Sequence, residues 1–183
     1  EINPKLENIA TGTHFYNYLV VVNNNQRHAA FTHGFLNPKV YLTSGICSYL
    51  TDKELQSVIL HEMHHVANRD PLKLFIIQIL CTLNFFLPIN YSLLNKFSSL
   101  SEKAADDNVV KLSGEPLELA SAMVKICKSN TIAVLNPMTF SFQGQNIEER
   151  INRLLEPEVA PPCPGKSYIF FPYVLSFFVM TIR

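Results

Sequence analysis

The period of hydrophobic and polar positions changes along the chain, and each change marks an element. Residues 14–23, HFYNYLVVVN, are rich in β-branched and aromatic side chains and predict a strand, ended by a polar turn at Asn23, Asn24 and Asn25. A second run covers 28–32. A third, PKVYLT at 38–43, alternates Val40 and Leu42 with Lys39 and Tyr41. Two or three short antiparallel strands fit these runs. The period then lengthens. Thr51, Asp52, Lys53 and Glu54 form an S/T-x-x-E capping box, so a helix is predicted to start there and reach about residue 68, with Leu55, Val58, Ile59, Glu62 and Val66 around its faces. Asp70 and Pro71 read as the N-cap and first-turn proline of the next helix.

Residues 74–95, LFIIQILCTLNFFLPINYSLLN, carry no charge. At ~1.5 Å rise per residue a helix of that length matches the thickness of a bilayer core. Gln78, Asn84, Pro88 and Asn90 interrupt it, so two readings stand: a membrane-embedded segment, or a covered helical hairpin. Residues 98–112 read as a helix that Gly114 ends, and Glu115-Pro116 opens an amphipathic helix over 116–128. A weakly patterned loop at 130–145 precedes a last short helix, IEERINRLL, at 147–155. Pro161, Pro162, Pro164 and Gly165 mark a linker, and 167–182 are again uncharged. The expected organisation is a domain over 1–157, then over 158–183 the linker and a truncated apolar, transmembrane-type segment. No signal-peptide pattern opens the chain, which reads as a piece of a larger membrane protein. The expected fold class is α+β, mainly helical, with a small antiparallel sheet beside the capped helix.

Composition narrows the function classes. Lys+Arg and Asp+Glu number 15 each, without the cationic excess that binding to phosphate backbones demands, so nucleic acid is not an expected partner. Cys47, Cys81, Cys127 and Cys163 are too far apart for a C-x-x-C zinc ribbon. Charged residues make up 16%, against roughly 25% in a soluble domain, which adds to the membrane expectation.

The chemistry concentrates in His61-Glu62-Met63-His64-His65, an H-E-x-x-H on the capped helix. Positions i and i+4 lie on one helix face, so the imidazoles of His61 and His65 can bind one metal ion. Glu62 lies round the helix from both, where its carboxylate can take a proton from a water polarised by the metal and hand it to a leaving amine. A catalytic zinc usually takes a third protein ligand. Glu102 is the candidate, with Asp106 one turn on as the carboxylate that would orient a ligand histidine from behind.

These residues carry a resemblance. H-E-x-x-H followed by E-x-x-A-D on a second helix resembles the gluzincin membrane metallopeptidases: the beta-lactam-sensing signal-transducer peptidases and the related heat-shock and CAAX prenyl protease group. GFLNPKVYLTSGI is similar to the strand and turn before their active-site helix, HEMHHVANRDPL to that helix and its exit, SEKAADDNVVKLSGEPLELASAMVKI to the third-ligand helix and its successor, and IEERINRLL to a late R-I-x-x-L helix. The resemblance implies a zincin-like domain, one Zn²⁺, hydrolysis of a protein substrate, membrane attachment and a site facing the cytoplasm.

Blander readings stand beside these. His64 reads as a surface or hydrogen-bonding residue, and Glu102 could instead complete a capping box with Ser99. Asp70 reads as a helix cap before a metal-site group, and Asp107 as solvated. His14, His28 and His33 have no i+4 partner and read as structural. Arg150 and Arg153 read as salt-bridging helix residues, with contact between Arg150 and the site as the alternative. Substrate is expected to extend along the third strand at Val40, Tyr41 and Leu42. Three functions compete: a zinc endopeptidase at or near the membrane, a signal-transducer zinc domain that cleaves itself or a regulator on sensor activation, and a non-catalytic domain stapled by zinc.

Overall fold

The computed structural model describes residues 16–84, 89–130 and 147–156. A 3-10 turn leads into β1 (Leu19–Val22), followed by β2 (Ala30–His33) and β3 (Lys39–Thr43). The helices are α1 (Ser44–Tyr49), α2 (Asp52–Asn68), α3 (Asp70–Leu83), α4 (Ile89–Ser113), α5 (Pro116–Asn130) and α6 (Ile147–Leu155). The class is α+β and mainly helical, as the sequence predicts. The expected linker and apolar tail at 158–183, His14 and most of the 130–145 loop lie outside the described residues.

The sheet corrects two expectations. Its order is β1-β3-β2, with β1 parallel and β2 antiparallel to β3, so it is mixed and not antiparallel throughout. The chain crosses from β1 to the far edge and returns between the two, leaving β3 paired on both sides. Val40, Tyr41 and Leu42 therefore present no ladder groups to a substrate, and Val40 and Leu42 are fully buried. The alternation of Val40 and Leu42 reports one face on the core and is as much that of a central strand as of an edge, so the substrate expected along this strand finds no free edge there. The register sets Ala30 opposite Leu42 and Thr32 opposite Val40, all on the buried face, while Phe31 stacks on Tyr41 across the other. Gly34, at φ +109°, makes the β2–β3 turn; a Cβ there would meet the Asn37 carbonyl oxygen at 2.9 Å.

Helix α2 lies at the centre, packed on the sheet, α4 and α5. Both halves of its capping box form: the Glu54 amide donates to Thr51 Oγ1 at 3.3 Å, and the Thr51 amide donates to Glu54 Oε2 at 2.8 Å. Glu54 also accepts from Ser121 Oγ at 2.6 Å and pairs with Lys125, so the carboxylate that starts α2 also ties it to α5. Burial of Glu54 works to raise its pKa, but Lys125, Ser121 and the Thr51 amide bring it down to about 2. Leu55, Val58 and Ile59 of α2 join Val109 of α4 and Leu119, Met123 and Ile126 of α5 in one core.

The uncharged stretch 74–95 is divided between α3, which ends at Leu83, and α4, which starts at Ile89, and the two helices pack together. No helix among the described residues is long and apolar enough to cross a membrane. Phe75, Ile76, Ile79, Leu80 and Leu83 nevertheless form an exposed apolar stripe along α3.

Candidate metal centre

Two helices and one turn build the site. Helix α2 brings His61 and His65 onto one face, and α4 crosses that face with Glu102 and Asp106. His61 Nε2 lies 3.2 Å from His65 Nε2 and 3.3 Å from Glu102 Oε2, and His65 Nε2 lies 3.6 Å from Glu102 Oε1. Behind this cluster His61 Nδ1 stands 3.1 Å from Asp106 Oδ1. His65 Nδ1 donates to Asp70 Oδ2 at 2.8 Å. Each imidazole thus has a carboxylate at one nitrogen and turns the other inward.

The Asp70 contact corrects a sequence expectation. Arg69 takes the left-handed conformation, φ 53°, and serves both as the C-cap of α2 and as the residue before α3, with no side-chain cap at the start of α3. That reversal swings Asp70 back over the last turn of α2, where its Oδ2 also accepts from Ser101 Oγ at 2.6 Å. His64 points away and accepts from Asn68 Nδ2 at 2.7 Å. His28 and His33 lie apart from the cluster, and Asp107 is exposed and paired with Arg153.

Two more participants carry only weak sequence signals. Thr32 is a polar residue at an inward-facing strand position; its hydroxyl donates to Glu62 Oε2 at 2.8 Å and lies 3.0 Å from the Glu62 carbonyl oxygen. Arg150 of α6 is 1% exposed. Its Nε and Nη2 donate to Asp106 Oδ2 and Oδ1 at 2.8 and 2.7 Å, and its Nη1 lies 2.7 Å from Glu102 Oε2. Of the two readings offered for it, surface salt bridge or contact with the site, the structure shows the second.

The charges interlock. Burial alone would lower the pKa of His61, but Asp106 and Glu102 outweigh it and raise the pKa from 6.5 to about 9. Burial works to raise Asp106, yet His61 and Arg150 hold it at about 2. Glu102 and Asp70, also opposed by burial, are held below the carboxylate range, Glu102 by the two histidines and Arg150, and Asp70 by His65 and Ser101.

The donor set fits a divalent cation. With a carboxylate beside each Nδ1, the proton of a neutral imidazole is favoured there and each Nε2 turns its lone pair inward. Two such lone pairs 3.2 Å apart repel unless positive charge lies between them. A tetrahedral zinc with ~2.0–2.1 Å bonds separates its ligand atoms by about 3.3 Å. The two Nε2 atoms lie 3.2 Å apart, Glu102 brings Oε2 to 3.3 Å from His61 and Oε1 to 3.6 Å from His65, and one ligand atom from each residue lies within 4.8 Å of the others. A proton on His61 is the alternative occupant, and this sets a pH dependence. The raised pKa stabilises the metal-free fold fully below pH ~6.5, and that contribution is lost as pH rises through about 9. Chelated protein is expected to lose up to about 3 kcal/mol between pH 6.5 and 9, at ~1.4 kcal/mol per pKa unit. Zinc-saturated protein should not share that loss, because His61 is then neutral in both folded and unfolded chains. Thermal melts of both forms check this, and a flat chelated profile would contradict it.

The chain is similar to known proteins. "Protease HtpX homolog 2" of Methanosarcina acetivorans is 29% identical over 48% of this chain and 40% of its own length. "Protease HtpX homolog" of Moorella thermoacetica is 31% identical over 51% and 42%. "Regulatory protein BlaR1" of Bacillus licheniformis is 27% identical over 79% of this chain but 25% of its own length. The chain thus spans less than half the length of these relatives. The chain resembles the gluzincin-type membrane metallopeptidases, and the BlaR1 peptidase M56 family model covers residues 3–154, a stretch that takes in His61, Glu62, His65, Glu102, Asp106 and Arg150; the chain belongs to that family.

Proposed function

We propose that this chain is the catalytic domain of a zinc-dependent endopeptidase acting on a protein at or near a membrane. His61, His65 and Glu102 would hold the zinc, with Asp106 behind His61 and Asp70 behind His65. The observation that carries the reading is the division of labour on α2. Among the described residues three donors converge and a fourth does not, while Glu62, 3% exposed, stands beside them held by Thr32. A structural zinc site fills its fourth position with protein and needs no general base.

Zinc bound there would supply Lewis acidity, polarising a carbonyl and lowering the pKa of water towards ~7. The chain's own part is proton handling and positioning. Thr32 donates to one oxygen of Glu62, which fixes the carboxylate, and Glu62 takes the proton of the attacking water and returns it to the leaving amine. Among the described residues β2 has an unpaired edge, and Thr32 links that strand to Glu62. An extended peptide adding to β2 would be held by main-chain hydrogen bonds beside the base. The apolar stripe on α3 supports the membrane location, since so large an exposed patch marks an interaction surface.

The signal-transducer reading has one observation in its favour: the BlaR1 relative covers 79% of this chain, against 48% and 51% for the two protease relatives. Hydrolysis of quenched-fluorescence peptides by the purified chain, with and without chelator, tests the principal reading. Cleavage lost on chelation and restored by zinc is the expected result. Cleavage indifferent to chelation overturns it.

A further inference from the structure

We propose that Arg150 is a positioning residue for the metal site: its single guanidinium fixes the Glu102 carboxylate and braces Asp106 against His61, so the site is complete only while α6 is docked. The proposal rests on the reading of His61, His65 and Glu102 as ligands.

The geometry assigns each nitrogen a task. Nε and Nη2 form a two-pronged fork on Asp106, whose Oδ1 also faces His61 Nδ1 at 3.1 Å. Nη1 lies 2.7 Å from Glu102 Oε2. The Glu102 carboxylate is thereby held by charge, with Oε2 close to both Arg150 and His61 and Oε1 facing His65. One planar group on α6 therefore fixes two carboxylates one turn apart on α4.

Contacts around Arg150 set its register. Glu149 pairs with Lys103, Arg153 Nη1 lies 2.9 Å from Asp107 Oδ1, and Arg153 Nη2 donates to the Lys103 carbonyl oxygen at 3.0 Å. Leu154 is buried in the core. Helix α6 therefore packs chiefly on α5 and reaches the turn of α4 that carries Glu102 and Asp106 through these side chains.

Stability alone accounts poorly for this arrangement. Burying a guanidinium is costly, and buried ion networks are often no more stabilising than hydrophobic residues of similar volume. What an apolar side chain could not supply is a two-pronged hydrogen bond to Asp106 together with an ion pair to Glu102. Lysine could not supply it either, since one ammonium lacks the planar fork.

Charge and geometry predict opposite effects, which makes the proposal testable. Removing a positive charge beside a cation site should, by Coulomb's law alone, tighten zinc binding. Losing the brace should weaken it by about 10–100-fold, the range for groups that orient a ligand. Zinc dissociation constants by competition with a chromophoric chelator, and visible spectra of the cobalt(II)-substituted protein, should be measured for the full chain, Arg150→Lys and Arg150→Met. The expected result is weaker zinc binding and an altered cobalt spectrum in both variants. Unchanged or tighter binding with an unchanged spectrum overturns the proposal even if melting temperatures fall, because a merely structural arginine would destabilise metal-free and loaded forms alike. Should Arg150→Met fail to fold, Arg150→Lys, which keeps the buried charge, decides by the same readouts. A full chain that binds no zinc overturns the ligand reading itself, an outcome distinct from variants that match it.

Discussion

Glu62→Gln is expected to lower peptide hydrolysis by about 10²–10⁴-fold, the usual contribution of a positioned general base, while leaving one zinc bound per chain. Glutamine matches glutamate in shape, and its carbonyl oxygen can still accept the Thr32 hydroxyl that donates to Glu62 Oε2 at 2.8 Å, so the site should keep its form. What is removed is proton affinity at one atom. The converging donors belong to His61, His65 and Glu102, so metal content should not follow activity. Elemental analysis beside a peptide cleavage assay separates the two. Zinc lost with activity would make Glu62 a ligand, and activity retained would remove it from the chemistry.

His65→Ala is expected to strip the metal, with a loss of affinity beyond the 10–100-fold of a group that only orients a ligand. The substitution removes one of three donors and leaves the surroundings satisfied: Asp70 keeps Ser101 at 2.6 Å and Lys73 at 3.4 Å. Collapse of the fold should therefore not account for the missing zinc, and melting of the chelated variant checks this. Glu102→Ala should behave in the same direction. Stoichiometric zinc in both variants would show the ligand assignment to be wrong.

The part of the site that lies within one helix was legible from the sequence. His61 and His65 are related by helix periodicity, and the box at Thr51 and Glu54 sets where that helix starts. Glu102 and Asp106 were legible through the resemblance and their one-turn spacing. Asp70 was misread because Asp-Pro is an ordinary helix-start signal, whereas its position here depends on the left-handed backbone of Arg69, which no glycine announced. The sheet order was hidden for a related reason. Alternating Val40 and Leu42 report one buried face and say nothing of how many neighbours a strand has, so parallel pairing of β1 with β3 required a crossover that no local pattern records. Arg150 and Thr32 meet partners 44 and 30 residues distant, and at such separations side-chain type alone does not say which surface will cover it.

Ser101, Glu102 and Asp106 ride on one helical rod, and the rod fixes their mutual spacing at ~1.5 Å of rise and ~100° of turn per residue. One mechanical coordinate, the pose of α4 across α2, therefore governs these three contacts at once. A roll or slide of α4 would withdraw the Ser101 contact to Asp70, the Glu102 oxygens and the Asp106 brace together. The contribution of α4 should then come and go as a unit, a snap rather than a fade, while the two imidazoles of α2 stay paired behind it.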